Sequence, residues 1–222
     1  MTGTVVYPAP PAEGSDAGDV LAWAVQRFGA RLTCAVSLGV EDVALISLAA
    51  ERGLKLDFFT LDTGVLFPET YTLWKQLEEK YGVHIRAVKP IEVVDRLWER
   101  EPDRCCYLRK VAPLKKHLSG YEAWVTGIRR EQSKDRANAQ LVEADPKFAL
   151  TKVNPLVAWT NKDVWKYVHA HEVPYNPLHD RGYPSIGCAP CTSPVAQGED
   201  PRAGRWRGLQ KTECGLHSKE SA

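Results

Sequence analysis

Apolar runs of strand length alternate with amphipathic stretches along most of the chain. Residues 32–36 read as a buried strand and 43–50 as the helix after it. Residues 56–61 form a second strand, followed by a helix from about residue 68 to 81. Residues 83–88, 123–126 and 148–153 supply three more strands. Residues 161–171 read as a helix, with Thr160 as N-cap and Asp163 in the first turn. This alternation predicts an α/β fold, a mostly parallel sheet with helices on both faces. In such folds ligands bind beyond the carboxyl ends of the strands, where strand order reverses. Residues 1–18, rich in Pro, Ala and Gly, read as a disordered leader to a domain over 19–200. From Pro174 onward the periodicity fails, and residues 201–222 read as a mobile C-terminal segment. A stretch this long is either functional or disordered, and its cysteines favour function.

Composition narrows the class. The 222 residues are 44% apolar and 26% charged, ordinary for a soluble globular protein. No run approaches the roughly 18 apolar residues of a membrane span. The N-terminus lacks the charged and apolar regions of a signal peptide, so a cytoplasmic protein is expected. A net charge of +1 gives no basic field for nucleic acid, and any anionic ligand must be held by local clusters. The six cysteines, in a cytoplasmic chain of this size, favour metal binding or catalysis over disulfides.

Five constellations carry chemistry. Ser37-Leu38-Gly39-Val40-Glu41-Asp42 follows a strand and precedes a helix, where Ser37 and Gly39 can turn donors toward an anion. It lacks the Lys of a Walker A loop, and an ordinary strand–helix turn would look similar. At the next strand end, Asp62, Thr63 and Gly64 offer polar groups for a ribose or base. Cys105-Cys106 and the Cys188-x-x-Cys191 pair suit an iron–sulfur cluster or tetrahedral zinc. Lys110 shares a face with the first pair, though most such lysines are solvated. Arg129, Arg130, Lys134 and Arg136, then Arg202, Arg205 and Arg207, form two basic groups with the forks that sulfate and phosphate accept. Finally, Cys214 sits near the C-terminus beside Gly215, where Lys211 or His217 can favour its thiolate. Cys34 reads as a core residue.

Together these segments resemble the assimilatory adenylyl-sulfate and phosphoadenylyl-sulfate reductases. Glu213-Cys214-Gly215-Leu216-His217 is similar to that family's catalytic motif. The segments 62–70, Gly127 to Ser133, and Asn154-Pro155-Leu156 with Trp159 and Trp165 are similar to its other signatures. The resemblance implies an adenine nucleotide α-hydrolase-like fold with residues 37–42 as a modified pyrophosphatase-type loop. It implies a [4Fe–4S] cluster on Cys105, Cys106, Cys188 and Cys191, since members with both cysteine pairs resemble the adenylyl-sulfate type. It also implies Lys110 as a link between cluster and substrate, and Arg202 and Arg205 as binders of the sulfate. The expected reaction is attack by Cys214 on the sulfur of adenylyl sulfate, aided by Arg129 and His217, expelling AMP, followed by attack of a thioredoxin thiol on the Cys214 sulfur, which frees sulfite. A homo-oligomer is expected. Some cluster-bearing members of the family use the 3′-phosphorylated nucleotide too, so the same chemistry on phosphoadenylyl sulfate is the alternative. Two rival readings keep parts of this picture: an ATP-pyrophosphatase-type synthetase or tRNA thiolase, and a non-enzymatic zinc-stapled nucleotide-binding protein.

Overall fold

The computed structural model describes residues 9–209 together with Lys211 and Leu216. One six-stranded sheet organises it, in the order β3-β2-β1-β4-β6-β5. The strands are β1 (Leu32–Ala35), β2 (Asp57–Leu61), β3 (Ile85–Val88), β4 (Ala123–Val125), β5 (Val142–Asp145) and β6 (Leu150–Val153). Neighbours pair in parallel except β5 and β6, so the sheet is mostly parallel as expected. The chain moves outward from β1 through β2 to β3, then returns to lay β4 on the other side of β1. The gap between β1 and β4 is therefore the switch point at which such sheets bind ligands.

Alternation along each strand builds two cores. Phe58, Cys34 and Val125 face the larger one, formed with α1 (Ala17–Phe28), α2 (Val40–Glu51), α3 (Pro68–Tyr81) and α7 (Asn161–Ala170). Phe59 and Trp124 face the smaller one, formed with Leu114 and Leu118 of α6 (Ala112–Leu118). Helices thus cover both faces. Helix α2 is buried along most of its length, which is why its apolar run is nearly continuous.

Three local expectations change. The leader was expected to run to residue 18, but α1 begins at Ala17. Asp16 caps it, accepting from the N–H groups of Gly18 at 2.9 Å and Asp19 at 3.2 Å. Strand β5 has no counterpart in the periodicity: Val142-Glu143-Ala144-Asp145 is half acidic and survives as an antiparallel edge. Residues 201–209, expected to begin a mobile tail, are packed. Thr192 and Arg205 form a β-bridge, Ser193 N–H donates to Gly204 O at 2.9 Å, and Trp206 is buried.

Candidate active site

A cavity of about 760 Å³ opens at the switch point. The ends of β1 and β4 form its base through Ala35, Val36, Ser37, Thr126 and Gly127. The first turn of α2 brings Gly39, Val40, Glu41 and Asp42 to the wall. Leu38 holds the intervening turn with φ of 65°, a left-handed conformation that costs a non-glycine residue roughly 1–2 kcal/mol. Burial of the Leu38 side chain in the core offsets that strain.

Asp42 fixes the loop from within. Its Oδ2 accepts from Ser37 N–H at 2.5 Å and from Ser37 Oγ at 2.6 Å. A Cβ at position 127 would collide with the same carboxylate, so only glycine lets β4 approach it. Burial pushes the Asp42 carboxyl up to about 6 from 3.8, against the pull of the Ser37 hydrogen bonds. Because the folded protein binds this proton more tightly than the unfolded chain, stability falls as pH rises between those values. The change is of order 3 kcal/mol. Wild-type protein is expected to lose stability relative to Asp42→Asn as pH climbs from about 4 to 6, with a constant gap above. Denaturant melts of both proteins across that range check this; parallel curves would exclude it.

Arg129 lies at the same wall but is not a free anion binder. Its Nε and Nη2 donate to Glu41 Oε1 at 3.0 and 2.7 Å, and its Nη1 to Glu131 Oε2 at 3.1 Å and Trp159 O at 3.3 Å. The guanidinium is buried, and four of its five N–H groups make these bonds. Asp62 also turns away from the expected role. It accepts from Tyr71 OH at 2.6 Å and Gly64 N–H at 3.1 Å, closing its own turn, with Gly64 at φ 73°. Thr63, by contrast, lines the cavity.

Cations gather elsewhere in the cavity: Lys110, Arg202 and Arg205 line it. Lys110 and Arg205 also line a second, smaller cavity, shared with Cys105, Cys106, Cys188, Cys191, Trp98 and Trp206. The helical run that begins with α5 (Pro102–Cys106) continues through a π turn over Tyr107–Val111 into α6. Such turns insert an extra residue and re-aim side chains. Here the turn buries Arg109, whose Nη1 donates to Thr63 O at 2.5 Å. Cys188 is tied to the wall of the larger cavity: its Sγ lies 3.4 Å from Thr63 Oγ1, and Ala189 N–H donates to Val65 O at 2.8 Å. Burial raises the Cys188 thiol, but Lys110, the Thr63 hydroxyl and Arg205 outweigh it and leave it below its ordinary value. Burial raises Cys105 and Cys191. Among the described residues the cysteines are free thiols, and no three His, Cys, Asp or Glu converge on a single ion position.

The family profile described as phosphoadenosine phosphosulfate reductase domain matches residues 31–194. The chain belongs to this family. Among relatives of this reductase family member, adenosine 5′-phosphosulfate reductase 1 of Bacillus subtilis is 48% identical, over 96% of this chain and 95% of its own. The adenosine 5′-phosphosulfate reductase of Halalkalibacterium halodurans is 46% identical over 92% and 93%. Among solved structures, phosphoadenylyl-sulfate reductase from Candida auris, a phosphate complex, superposes with a TM-score of 0.72 at 29% identity. That match covers 81% of this chain and 90% of the other. FMN adenylyltransferase of Candida glabrata shares the fold, with a TM-score of 0.61 at 13% identity over 89% and 73%.

In this phosphosulfate reductase family member the structure brings together Ser37, Gly39, Thr63, Lys110, Arg202 and Arg205 around one cavity, and the four paired cysteines around its neighbour. Cys214 and His217 lie outside the described residues. Lys211 pairs with Asp103 rather than standing free. Sequence reading missed the roles of Glu41, Glu131, Arg109 and Trp206. Glu41 stands beside Arg129 only in three dimensions, and Glu131, two residues on, reads in sequence as part of a charged run. Arg109 is the neighbour of a residue already singled out, and its burial had no sequence signal.

Proposed function

We propose that this protein reduces adenylyl sulfate to sulfite and AMP in sulfate assimilation, with Cys214 as nucleophile and thioredoxin as the source of electrons. The observation that carries this reading is the sharing of Lys110 and Arg205 between a nucleotide-sized cavity and a four-cysteine cavity. Cations so placed suit a sulfate at one end of a bound nucleotide. The Cys214 thiolate attacks the sulfate sulfur, the S–O bond to the phosphate breaks, and AMP leaves with the electron pair. One thiol of thioredoxin then attacks Cys214 Sγ and expels sulfite; its second thiol resolves the mixed disulfide and regenerates Cys214. Lys110, Arg202, Arg205 and His217 counter the repulsion between thiolate and sulfate. The proposed use of the cysteines for metal binding and catalysis, not disulfides, suits a reducing compartment, the cytoplasm. No helix among the described residues is long and apolar enough to cross a membrane.

The four cysteines fit a [4Fe–4S] cluster in their donor chemistry. They are mostly buried, and cations from Arg109, Lys110 and Arg205 surround them. Tetrahedral zinc would need its sulfurs about 3.8 Å apart around one ion, whereas a four-iron cluster takes one thiolate per iron and spreads them. When bound, the cluster supplies a fixed electrostatic environment beside the sulfate end. Lys110 holds its ammonium between cysteine and substrate, and Arg109 holds the Thr63 carbonyl in place.

Preference for the unphosphorylated nucleotide finds support in the acidic wall. Glu41 and Glu131 neutralise Arg129, and Asp42 lies beside them. A 3′-phosphate reaching this wall would meet these carboxylates, and Arg129 is already paired with two of them. Glu41→Gln is expected to raise kcat/KM for phosphoadenylyl sulfate relative to adenylyl sulfate by roughly tenfold, the ratio for about 1.4 kcal/mol. Competition of the two nucleotides under equal thioredoxin measures it, and an unchanged ratio would reject the role of the wall. For the activity itself the assay is sulfite and AMP release from adenylyl sulfate with thioredoxin. Pyrophosphate release from ATP in its place would favour the synthetase reading.

A further inference from the structure

The loop between β1 and α2 keeps its own donors occupied. Ser37 is exposed and lines the larger cavity, yet its N–H and its hydroxyl both donate to Asp42 Oδ2, at 2.5 and 2.6 Å. A serine hydroxyl has one proton, so only its lone pairs remain for a ligand. The other carboxylate oxygen faces β4, since a Cβ at Gly127 would collide with Asp42 Oδ1. The buried Asp42 carboxylate therefore spans the crevice between the ends of β1 and β4. That crevice, at a helix N-terminus, is where sheets of this kind receive the phosphates of their ligands.

The first turn of α2 reinforces this arrangement. Gly39 caps the helix without a side-chain bond, and Glu41 and Asp42 bring carboxylates to the positive end of its dipole. Glu41 is drawn to Arg129 at 2.7 Å, whereas Asp42 stays on the loop. Arg136 is near enough to favour the Asp42 charge, and its Nη1 donates to Gln132 Oε1 at 2.5 Å. The cations that suit a sulfate lie elsewhere in the cavity, where Lys110 and Arg205 adjoin the cysteines. A phosphosulfate can place its sulfate there. A longer phosphate chain that reaches the loop meets donors already spent and a carboxylate behind them.

We propose that Asp42 is a specificity-determining residue that excludes nucleotides with longer phosphate chains, such as ATP, by occupying the donors of its own loop. The inference rests on the reading that the larger cavity takes an adenine nucleotide, and it is independent of Cys214. Two effects act together. Asp42 holds the Ser37 N–H and hydroxyl that a further phosphate would need, and its own negative charge repels that phosphate at short range. Specificity of this kind comes from a repulsive element set against the competitor and not from added contacts to the substrate. ATP is an abundant adenine nucleotide in any cell, so an enzyme for adenylyl sulfate gains from such an element.

The test compares full-length, anaerobically purified wild type, Asp42→Ser and Asp42→Asn in magnesium-free buffer. Calorimetry at about pH 8, where a carboxyl raised to about 6 is ionised, gives the affinities for AMP and ATP. The readout is ATP affinity divided by AMP affinity, so a general loss of nucleotide binding cancels. Wild type is expected to bind ATP at least roughly tenfold more weakly than AMP. Asp42→Ser shortens the side chain and frees the Ser37 donors, and it is expected to raise the ratio roughly tenfold or more. Asp42→Asn removes the charge but keeps an acceptor for Ser37, and its ratio is expected to fall between the two. Damage to the loop alone would weaken both nucleotides together, so a relative gain for ATP separates selectivity from a structural role. Wild type that binds ATP as tightly as AMP overturns the inference. So does an unchanged ratio in Asp42→Ser, or in Asp42→Asn if thermal melting shows the serine variant to be unfolded. Wild type that binds neither nucleotide removes the reading of the larger cavity, and the inference with it.

Discussion

Replacing Cys214 by serine is expected to abolish sulfite release while leaving AMP affinity and iron content intact. The remaining cysteines are poorly placed to substitute. Cys34 is fully buried in β1, and burial together with Asp42 and Asp57 pushes its thiol well above the ordinary range. Cys105, Cys106, Cys188 and Cys191 share the second cavity and would be engaged in holding iron. Ser37, Thr63 and Arg205 line the larger cavity, and under the proposed reading the nucleotide is held by residues such as these, so binding is expected to survive the substitution. A serine hydroxyl has a far higher pKa than a thiol and is a weaker nucleophile, so the loss in kcat is expected to exceed ~10³-fold. Incubation of wild-type enzyme with adenylyl sulfate and no reductant is expected to trap one sulfonate on the tail peptide, absent from Cys214→Ser. An adduct on another cysteine, or sulfite release near the wild-type rate by the variant, would remove Cys214 from the mechanism.

The parallel strands were legible because each is a short apolar run flanked by turn residues, a pattern that local sequence carries by itself. Helix α3 begins at Pro68 and ends at Tyr81, where Pro at its start and Gly82 in the left-handed region just beyond mark both ends. The edge strand β5 was not legible, because Glu143 and Asp145 break the apolar alternation. Asp145 is nevertheless buried, and its partners Lys152 and Trp124 come from other strands. Site residues divide along the same line. Ser37, Thr63, Lys110 and Arg205 belong to local motifs at strand ends or beside cysteines, and all reach the cavity. Arg129 belongs to a basic run, and nothing in that run announces that Glu41, 88 positions earlier, takes its charge. Asp62 has the right residue type at the right strand end, yet the hydroxyl of Tyr71, nine positions on in the first turn of α3, claims its carboxylate.

Loss of iron is expected to cost more when it comes from Cys188 than from Cys191. Both substitutions to serine would strip a ligand from a [4Fe–4S] cluster, and both are expected to lower iron content and reduce kcat by roughly a hundredfold or more. Cys188 has a second attachment that Cys191 lacks. It bridges Leu66 in backbone pairing, contacts the Thr63 hydroxyl and receives the Lys110 ammonium. Thr63 is in turn held by Arg109 from the π turn. Removing the Cys188 thiol therefore loses the contact with Thr63 and one of the groups that Lys110 faces, and both of these residues line the wall of the larger cavity. Cys191 is less buried and bonds through its carbonyl to Trp206, away from that wall. Cys188→Ser is thus expected to weaken AMP binding several-fold beyond the effect of Cys191→Ser, at equal loss of iron. Iron analysis of anaerobically purified variants, with AMP calorimetry on each, makes the comparison. Equal AMP affinities in the two variants would uncouple the cysteine cavity from the nucleotide wall, and stoichiometric zinc in iron-free wild-type protein would replace the cluster altogether.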